Sequence, residues 1–336
     1  MAKRNNSHSA YTVGIDLGGT KILAAVVDAG GNVVATAKRS TKAEVGPEGV
    51  IERVIKTIED ALAGVKMSKE QIAATGIGVP GPVDTRSGVA LSVTNMPGWV
   101  NVPVADWLRR WHDVPVVLTN DVRAACMGEL MLGAGQGLHH FVAVFIGTGI
   151  GGGIVINGQI YEGARGSAGE IGHMVTMADG PYAEGGGIRG GIEAIASRSA
   201  IERDLRAALA AGRKSILPQL MAKKDGALTS SVLAAAVEKG DPLTVEVLQR
   251  AAHYLGLHAA SLINCFDPQA LVYGGGVIEA LGEWMLGPIR ETAMQHLINR
   301  ARVEEVRIVE AKLGDRAGVV GAALLAKGAL QREVAK

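Results

Sequence analysis

The segment Asp16-Leu17-Gly18-Gly19-Thr20-Lys21 lies between two apolar, β-branched stretches, and Gly147-Thr148-Gly149-Ile150-Gly151-Gly152-Gly153 is flanked in the same way further along. Paired glycines that end a strand turn the chain back on itself, so each segment predicts a hairpin whose turn exposes successive backbone N–H groups. Read alone, each is either a tight connection or a cradle for phosphate oxygens. Repetition, together with the hydroxyls of Thr20 and Thr148, favours the cradle.

The surrounding pattern supports an α/β chain of two similar halves. Thr12–Asp16, Lys21–Asp28 and Asn32–Lys38 read as consecutive antiparallel strands, with Gly30-Gly31 as a second turn. Pro47 opens a helix carrying Val50, Ile51, Val54, Ile55, Ile58 and Leu62 at helical spacing. Strands are predicted at Ile72–Val79, Pro115–Thr119, Phe141–Ile146, Ala270–Tyr273 and Arg302–Val309. Gly78–Asp84 reads as a rigid turn and Asn95–Trp99 as a loop. A short helix begins near Pro103 and another at Asn120-Asp121. Further helices are expected over Ile192–Ala211, from Asp241-Pro242 and from Gly314-Asp315, with Asn157-Gly158 a hairpin signal.

Composition excludes several function classes. With 34 Lys and Arg against 33 Asp and Glu in 336 residues, the net charge is +1, so no bulk field recruits nucleic acid or membrane. The stretch of residues 1–10 is polar, reads as a flexible tail and lacks the core of a signal peptide, and no apolar run is long enough to span a bilayer. Cys126 and Cys265 lie in apolar helical surroundings and read as buried, inert thiols in a reducing cytoplasm.

Gly147-x-Gly149-x-x-Gly152 matches a dinucleotide-binding fingerprint by letter, but that fingerprint needs a helix immediately afterwards, and here a strand follows. No P-loop sequence exists. Asp16, at the end of a buried strand, is either a turn former or a carboxylate facing a nucleotide's Mg²⁺ through water. Lys21 reads as pointing to solvent. Asn120 and Asp121 can serve simply as a helix cap; alternatively Asn120 caps while Asp121 takes a proton from an acceptor hydroxyl. Glu170, His173 and Glu193 are individually ordinary, but together they are plausible partners for vicinal sugar hydroxyls. Two phosphate turns, a metal carboxylate and a base are what phosphoryl transfer requires.

The ordered set Asp16–Lys21, Gly78–Pro82, Asn95–Trp99, Asn120-Asp121, Gly147–Gly153, Glu170–His173, Gly190–Ala194 and Leu271–Val277 resembles the ROK family of sugar kinases and repressors over nearly the whole chain. The resemblance implies an actin-like, hexokinase-type fold, with residues 11–121 plus 314–336 forming a small α/β domain and residues 122–313 a large one, closing over a cleft. It assigns Asp121 as catalytic base and Asn120, Glu170, His173 and Glu193 as sugar ligands, with Gly81 and Asn95 in sugar-side loops. Gly18, Gly19, Thr20, Lys21, Thr148 and Gly149 fall on phosphate-contacting turns, and Gly275 near the nucleoside.

One departure is large. Family members carry three cysteines after the Glu-x-Gly-His segment that bind a structural zinc with the histidine, and here Glu184, Gly186 and Gly191 stand in their places. Two glycines supply no side-chain ligand, so no structural zinc is expected. The resemblance implies an ATP- and Mg²⁺-dependent hexokinase, with glucose favoured over N-acetylglucosamine, mannose or fructose, and with polyphosphate conceivable as donor. A sugar-responsive repressor is the alternative from the same family, disfavoured because only about ten residues precede the first strand; a non-catalytic sugar sensor is a third. A homodimer binding hexose and nucleotide, without nucleic acid or membrane, is the expected assembly.

Overall fold

The computed structural model describes residues 11–93, 96–183 and 188–334. The chain separates into two compact units. One comprises the residues up to Gln136, Glu162–Ala168 and those from Asp315 on; the other comprises Gly137–Tyr161 and Gly169–Gly314.

In the first unit the strands β1 (Tyr11–Leu17), β2 (Lys21–Val27) and β3 (Val33–Ser40) form the expected meander. They are followed by α1 (Gly46–Gly64), β4 (Ile72–Val79), the short strands β5 (Val83–Asp84), β6 (Val89–Ser92) and β7 (Val100–Val102), α2 (Val104–Trp111), β8 (Val116–Asn120) and α3 (Asp121–Leu132). The main sheet has the order β3-β2-β1-β4-β8, with β1, β4 and β8 parallel. Strand alternation assigns its faces. Val13, Ile15 and Leu17 join the buried residues of α1 in one core, whereas Gly14 and Asp16 point to the opposite face.

That opposite face receives the last helix, Ala317–Val334. Gly14 and Gly76 are register partners on β1 and β4, and a Cβ at either would lie under 2 Å from a backbone carbonyl oxygen of this helix, Val319 or Ala322. Glycine at both positions lets a helix backbone lie directly on the sheet. The same helix begins against Asp16, whose Cγ lies 3.2 Å from where a Cβ on Gly318 would stand.

The second unit repeats the plan. Strands β9 (Phe141–Ile146), β10 (Ile150–Ile156) and β11 (Gln159–Ile160) precede helices α4 (Ile192–Ala196), α5 (Arg198–Ala210), α6 (Leu217–Ala222), α7 (Ser230–Glu238) and α8 (Pro242–Phe266). Then come β12 (Ala270–Gly274), α9 (Gly276–Leu281), α10 (Glu283–Gln295) and β13 (Arg307–Glu310). The sheet order β11-β10-β9-β12-β13 matches the first, with three antiparallel strands beside two parallel neighbours. Helices α5 to α8 and α10 bury their apolar faces against Val142, Val144, Leu271 and Tyr273. Among the described residues no helix is long and apolar enough to cross a membrane.

Several expectations are corrected. The helix expected over Ile192–Ala211 is broken at Ser197, which is extended and caps α5 through Oγ. The strand expected from Arg302 begins at Arg307, because Arg302 turns into a 3-10 segment and pairs with Glu305. Gly151–Gly153 belong to β10, so only Gly147–Gly149 form the turn, and the rigid turn at 78–84 is confined to Pro80–Pro82. Cys126 is buried, but Cys265 is exposed, near the end of α8 on the side facing away from the core.

Candidate active site

The candidate residues form two groups, one on each unit. In the first, parallel pairing aligns the carboxyl ends of β1, β4 and β8, so that Asp16, Gly78 and Thr119 stand side by side across the sheet. Ligands of open α/β sheets bind outside such strand ends. Asp121, the first residue of α3, follows directly. A Cβ on Gly78 would approach its Cα to 3.1 Å, so glycine admits the helix start against β4.

Asn120 caps α3, its Oδ1 accepting from the amides of Val122 (3.0 Å) and Arg123 (3.1 Å). Its Nδ2 donates to the carbonyl of Gly81 at 3.2 Å, which leaves one N–H of the carboxamide uncommitted. Gly81 itself has φ +81°, a conformation that favours glycine. Asp121 Oδ1 accepts the Val122 amide at 2.8 Å. Asn95 lies outside the described residues.

Asp16 is a perturbed acid. Burial is the main cause, reinforced by the negative charges of Asp121 and Asp315 and opposed by Lys21, and together they push its pKa up to about 7. Lys21 is not simply directed to solvent as expected; its Nζ pairs with Asp315 Oδ2 at 3.2 Å, a residue brought close by the return of the last helix. The turn between β1 and β2 is closed by Gly18 N–H donating to Lys21 O (2.9 Å). It is braced by Thr41, whose hydroxyl donates to Gly18 O (2.6 Å) and whose amide donates to Thr20 O (2.9 Å). Gly19 lies inside this turn and Thr20 is exposed on it.

Sequence reasoning missed Thr41, and also Arg123. The buried Arg123 guanidinium donates to the carbonyls of Gly166 (2.7 Å) and Ala168 (3.4 Å), tying the segment Glu162–Ala168 to α3. No local pattern signals either contact.

In the second unit the turn Gly147–Gly149 joins β9 to β10, with Gly147 N–H donating to Gly149 O at 2.9 Å. Glu193 Oε2 accepts the Ile150 amide at 2.7 Å, and a Cβ on Gly149 would stand 2.2 Å from that oxygen. Thr148 is exposed, its Oγ1 accepting from Arg198 Nη2 at 2.7 Å. Gly275, with φ +85°, packs on the backbone of Ile146 at the mouth of the same turn.

Glu170 and His173 flank a single 3-10 turn, Ile171–His173, with His173 Nε2 and Glu170 Oε2 3.9 Å apart. Gly191, just before Glu193, packs against the His173 backbone, which brings the Glu193 segment to this turn. From beneath, the Ile171 carbonyl accepts from Met174 N–H and from the buried His258 ring on α8, both at 3.1 Å. A carbonyl only accepts, so Nε2 carries the proton, and burial pulls the His258 pKa down to about 4, keeping the ring neutral. His258 was not anticipated, since its role depends on a contact 87 residues away.

The segment that departs from the cysteine pattern is held by main-chain bonds. Val175 bridges to Gly191 and Tyr182 to Arg189, and the amides of Thr176 and Met177 both donate to Gly190 O, at 2.9 and 3.1 Å. Arg189 donates to the carbonyls of Gly180 (3.0 Å) and Asp179 (3.3 Å) and lies 6.0 Å from the Tyr182 ring centre. Glu184 and Gly186 lie outside the described residues.

Comparison with known proteins gives concordant matches. A family model described as the ROK family matches residues 12–329. The glucokinase of Thermotoga maritima is 35% identical over 315 residues, spanning 94% of this chain and 96% of that protein. Among solved structures, a ROK family glucokinase from Streptomyces griseus in complex with glucose and AMPPNP superposes with TM-score 0.81 at 34% identity, covering 95% of this chain and 99% of that one. A ROK hexokinase from Thermus thermophilus gives TM-score 0.79 at 34% identity, covering 96% and 99%. The fold of this chain is therefore the actin-like, hexokinase-type fold expected from its sequence.

Proposed function

The chain belongs to the ROK family, and on that premise we propose that it transfers the terminal phosphoryl group of ATP to a hexose, converting glucose to glucose 6-phosphate. The observation that carries the reading is Asp121, a carboxylate at the start of α3 beside the half-buried acid Asp16 and the capping amide Asn120.

In this reading Asp121 orients the primary hydroxyl of the sugar and takes its proton as the oxygen attacks. Asn120, through its remaining N–H, holds a neighbouring hydroxyl, and Glu170, His173 and Glu193 hold others, with Gly81 and Asn95 shaping the same side. Phosphoryl transfer has a loose transition state, so acceleration comes chiefly from positioning and from donors aimed at the moving charge. The turns Gly18–Thr20 and Gly147–Gly149 supply backbone N–H groups, and Gly275 borders the second of them.

Asp16, which feels the negative charges of Asp121 and Asp315, is the residue that would hold nucleotide Mg²⁺, through water, the ion neutralising phosphate charge. Structural zinc does not fit. Of the four family positions only His173 and Glu184 carry donor side chains, fewer than a zinc ion needs. Assembly as a homodimer rests on the resemblance, and sedimentation measures it.

ADP production is followed by a coupled assay across glucose, N-acetylglucosamine, mannose and fructose, and sugar phosphate formation is measured directly with polyphosphate as alternative donor. Turnover highest with glucose and ATP is expected. Sugar binding without sugar phosphate formation from either donor on any hexose would defeat the kinase reading in favour of a sensor.

A further inference from the structure

The interruption at Ser197 frees the backbone of the next two residues. Arg198 N–H donates to Gly147 O at 3.0 Å and Ser199 N–H to Thr148 O at 3.3 Å, while Arg198 Nη2 donates to Thr148 Oγ1 at 2.7 Å. Had the helix continued, those two amides would have been spent on intrahelical carbonyls. Three hydrogen bonds therefore run from one dipeptide step to one turn.

A guanidinium only donates, so Thr148 Oγ1 is an acceptor in this pair and its own proton is left for an acceptor outside the protein. The charge is only partly balanced. Glu202 Oε2 lies 3.8 Å from Arg198 Nη1, beyond hydrogen-bond length, and Glu202 Oε1 is taken by Arg206 at 2.7 Å. One carboxylate thus serves two cations, and Arg198 keeps 29% of its side chain exposed.

We propose that Arg198 is a positioning residue for the phosphoryl donor: it turns the Thr148 hydroxyl proton outward and leaves positive charge beside the turn Gly147–Gly149, suiting a polyphosphate chain. The proposal rests on the reading that this turn receives the donor's phosphates.

Binding of AMPPNP, ADP and adenosine to the full chain is measured by calorimetry for wild type, Arg198→Ala, Arg198→Lys and Glu202→Gln, alongside KM for glucose and ATP. Arg198→Ala is expected to weaken AMPPNP about ten-fold and to leave adenosine and glucose within about two-fold. Arg198→Lys should recover part of the loss by restoring the charge without the planar fork, and Glu202→Gln should not weaken binding. Unchanged AMPPNP affinity in Arg198→Ala overturns the proposal, and so does equal weakening of adenosine and AMPPNP, the mark of general damage. A wild-type chain that binds AMPPNP but phosphorylates no hexose overturns the kinase reading, while the Arg198 comparison still decides the proposal; failure to bind any nucleotide overturns both.

Discussion

Glu193 accepts the Ile150 amide at 2.7 Å through the same oxygen that a Cβ on Gly149 would meet at 2.2 Å. One carboxylate, assigned to the sugar, thereby braces the turn assigned to phosphate. Gly149→Ala should displace it and raise KM for both glucose and ATP by roughly ten-fold or more, as expected when buried groups lose their partners. Glu193→Gln keeps an oxygen that can accept from Ile150, so it should raise KM for glucose while ATP stays within about two-fold. Steady-state kinetics with both substrates varied provide the check, and a Gly149→Ala effect on only one substrate would show the brace to be irrelevant.

Asp121→Asn should lower kcat by about 10²- to 10⁴-fold, the range for losing a general base. Glucose binding should stay within about three-fold, because asparagine preserves shape and suits a helix start. Calorimetry paired with single-turnover measurements separates the two effects; near-normal turnover would remove Asp121 from the role of base.

Asp16 links pH to stability. Its pKa is about 7 folded, from burial first and then the charges of Asp121 and Asp315, against the ordinary value of 3.8. Between those values the folded chain binds the extra proton, so the ligand-free protein loses stability as pH rises from about 4 to 7. Asp16→Asn should therefore stabilise at pH 8, by roughly 1–2 kcal/mol after allowance for partial exposure, and should have little effect near pH 4. Denaturant titrations at both pH values test this, and an equal shift at the two would contradict it.

His258 acts with the opposite sign. Its folded pKa, lowered to about 4 by burial, lies below the ordinary 6.5, so the unfolded chain binds the proton first and stability falls as pH drops from 6.5 towards 4. His258→Gln retains a donor for the Ile171 carbonyl and does not titrate, so it should flatten the acid limb by up to about 1.4 kcal/mol per pH unit and keep KM for glucose. His258→Ala should raise that KM. Thermal melts against pH, with glucose kinetics, report both, and an unchanged acid limb in His258→Gln would refute the assignment.

The segment that lacks the family cysteines should hold no zinc. Metal analysis of the purified chain is expected to find far less than one zinc per chain, and chelators should leave sugar kinetics unchanged. Arg189→Ala, by releasing the Asp179 and Gly180 carbonyls, should raise KM for glucose several-fold, about 1 kcal/mol per hydrogen bond lost. One tightly held zinc per chain would overturn this.

Most strands and helix starts were legible because their causes are local. Asp241-Pro242 caps and opens α8, with Asp241 Oδ2 accepting the Thr244 amide; Asn157-Gly158 adopts the paired positive φ of a two-residue hairpin. Asp121 was legible as a candidate because its helix start follows an apolar strand. The break at Ser197 was not, since apolar spacing continues on both sides and the competing bonds come from Gly147 and Thr148, fifty residues earlier.

By itself the sequence determined most strands of the two main sheets, the helices opening at Pro47, Pro103, Asn120 and Asp241, the two glycine turns and the residue types available for chemistry, since turn stereochemistry and apolar periodicity are properties of neighbouring residues; the helices α6, α7, α9 and α10 it did not. Only the tertiary structure decided what those residues do for one another: that Lys21 pairs with Asp315, that Asp16 is held near neutrality, that Glu193 braces the Gly149 turn and that Arg198 addresses Thr148. These depend on burial and on charges and donors distant in the chain, whose free energies arise only once the packed backbone brings them together.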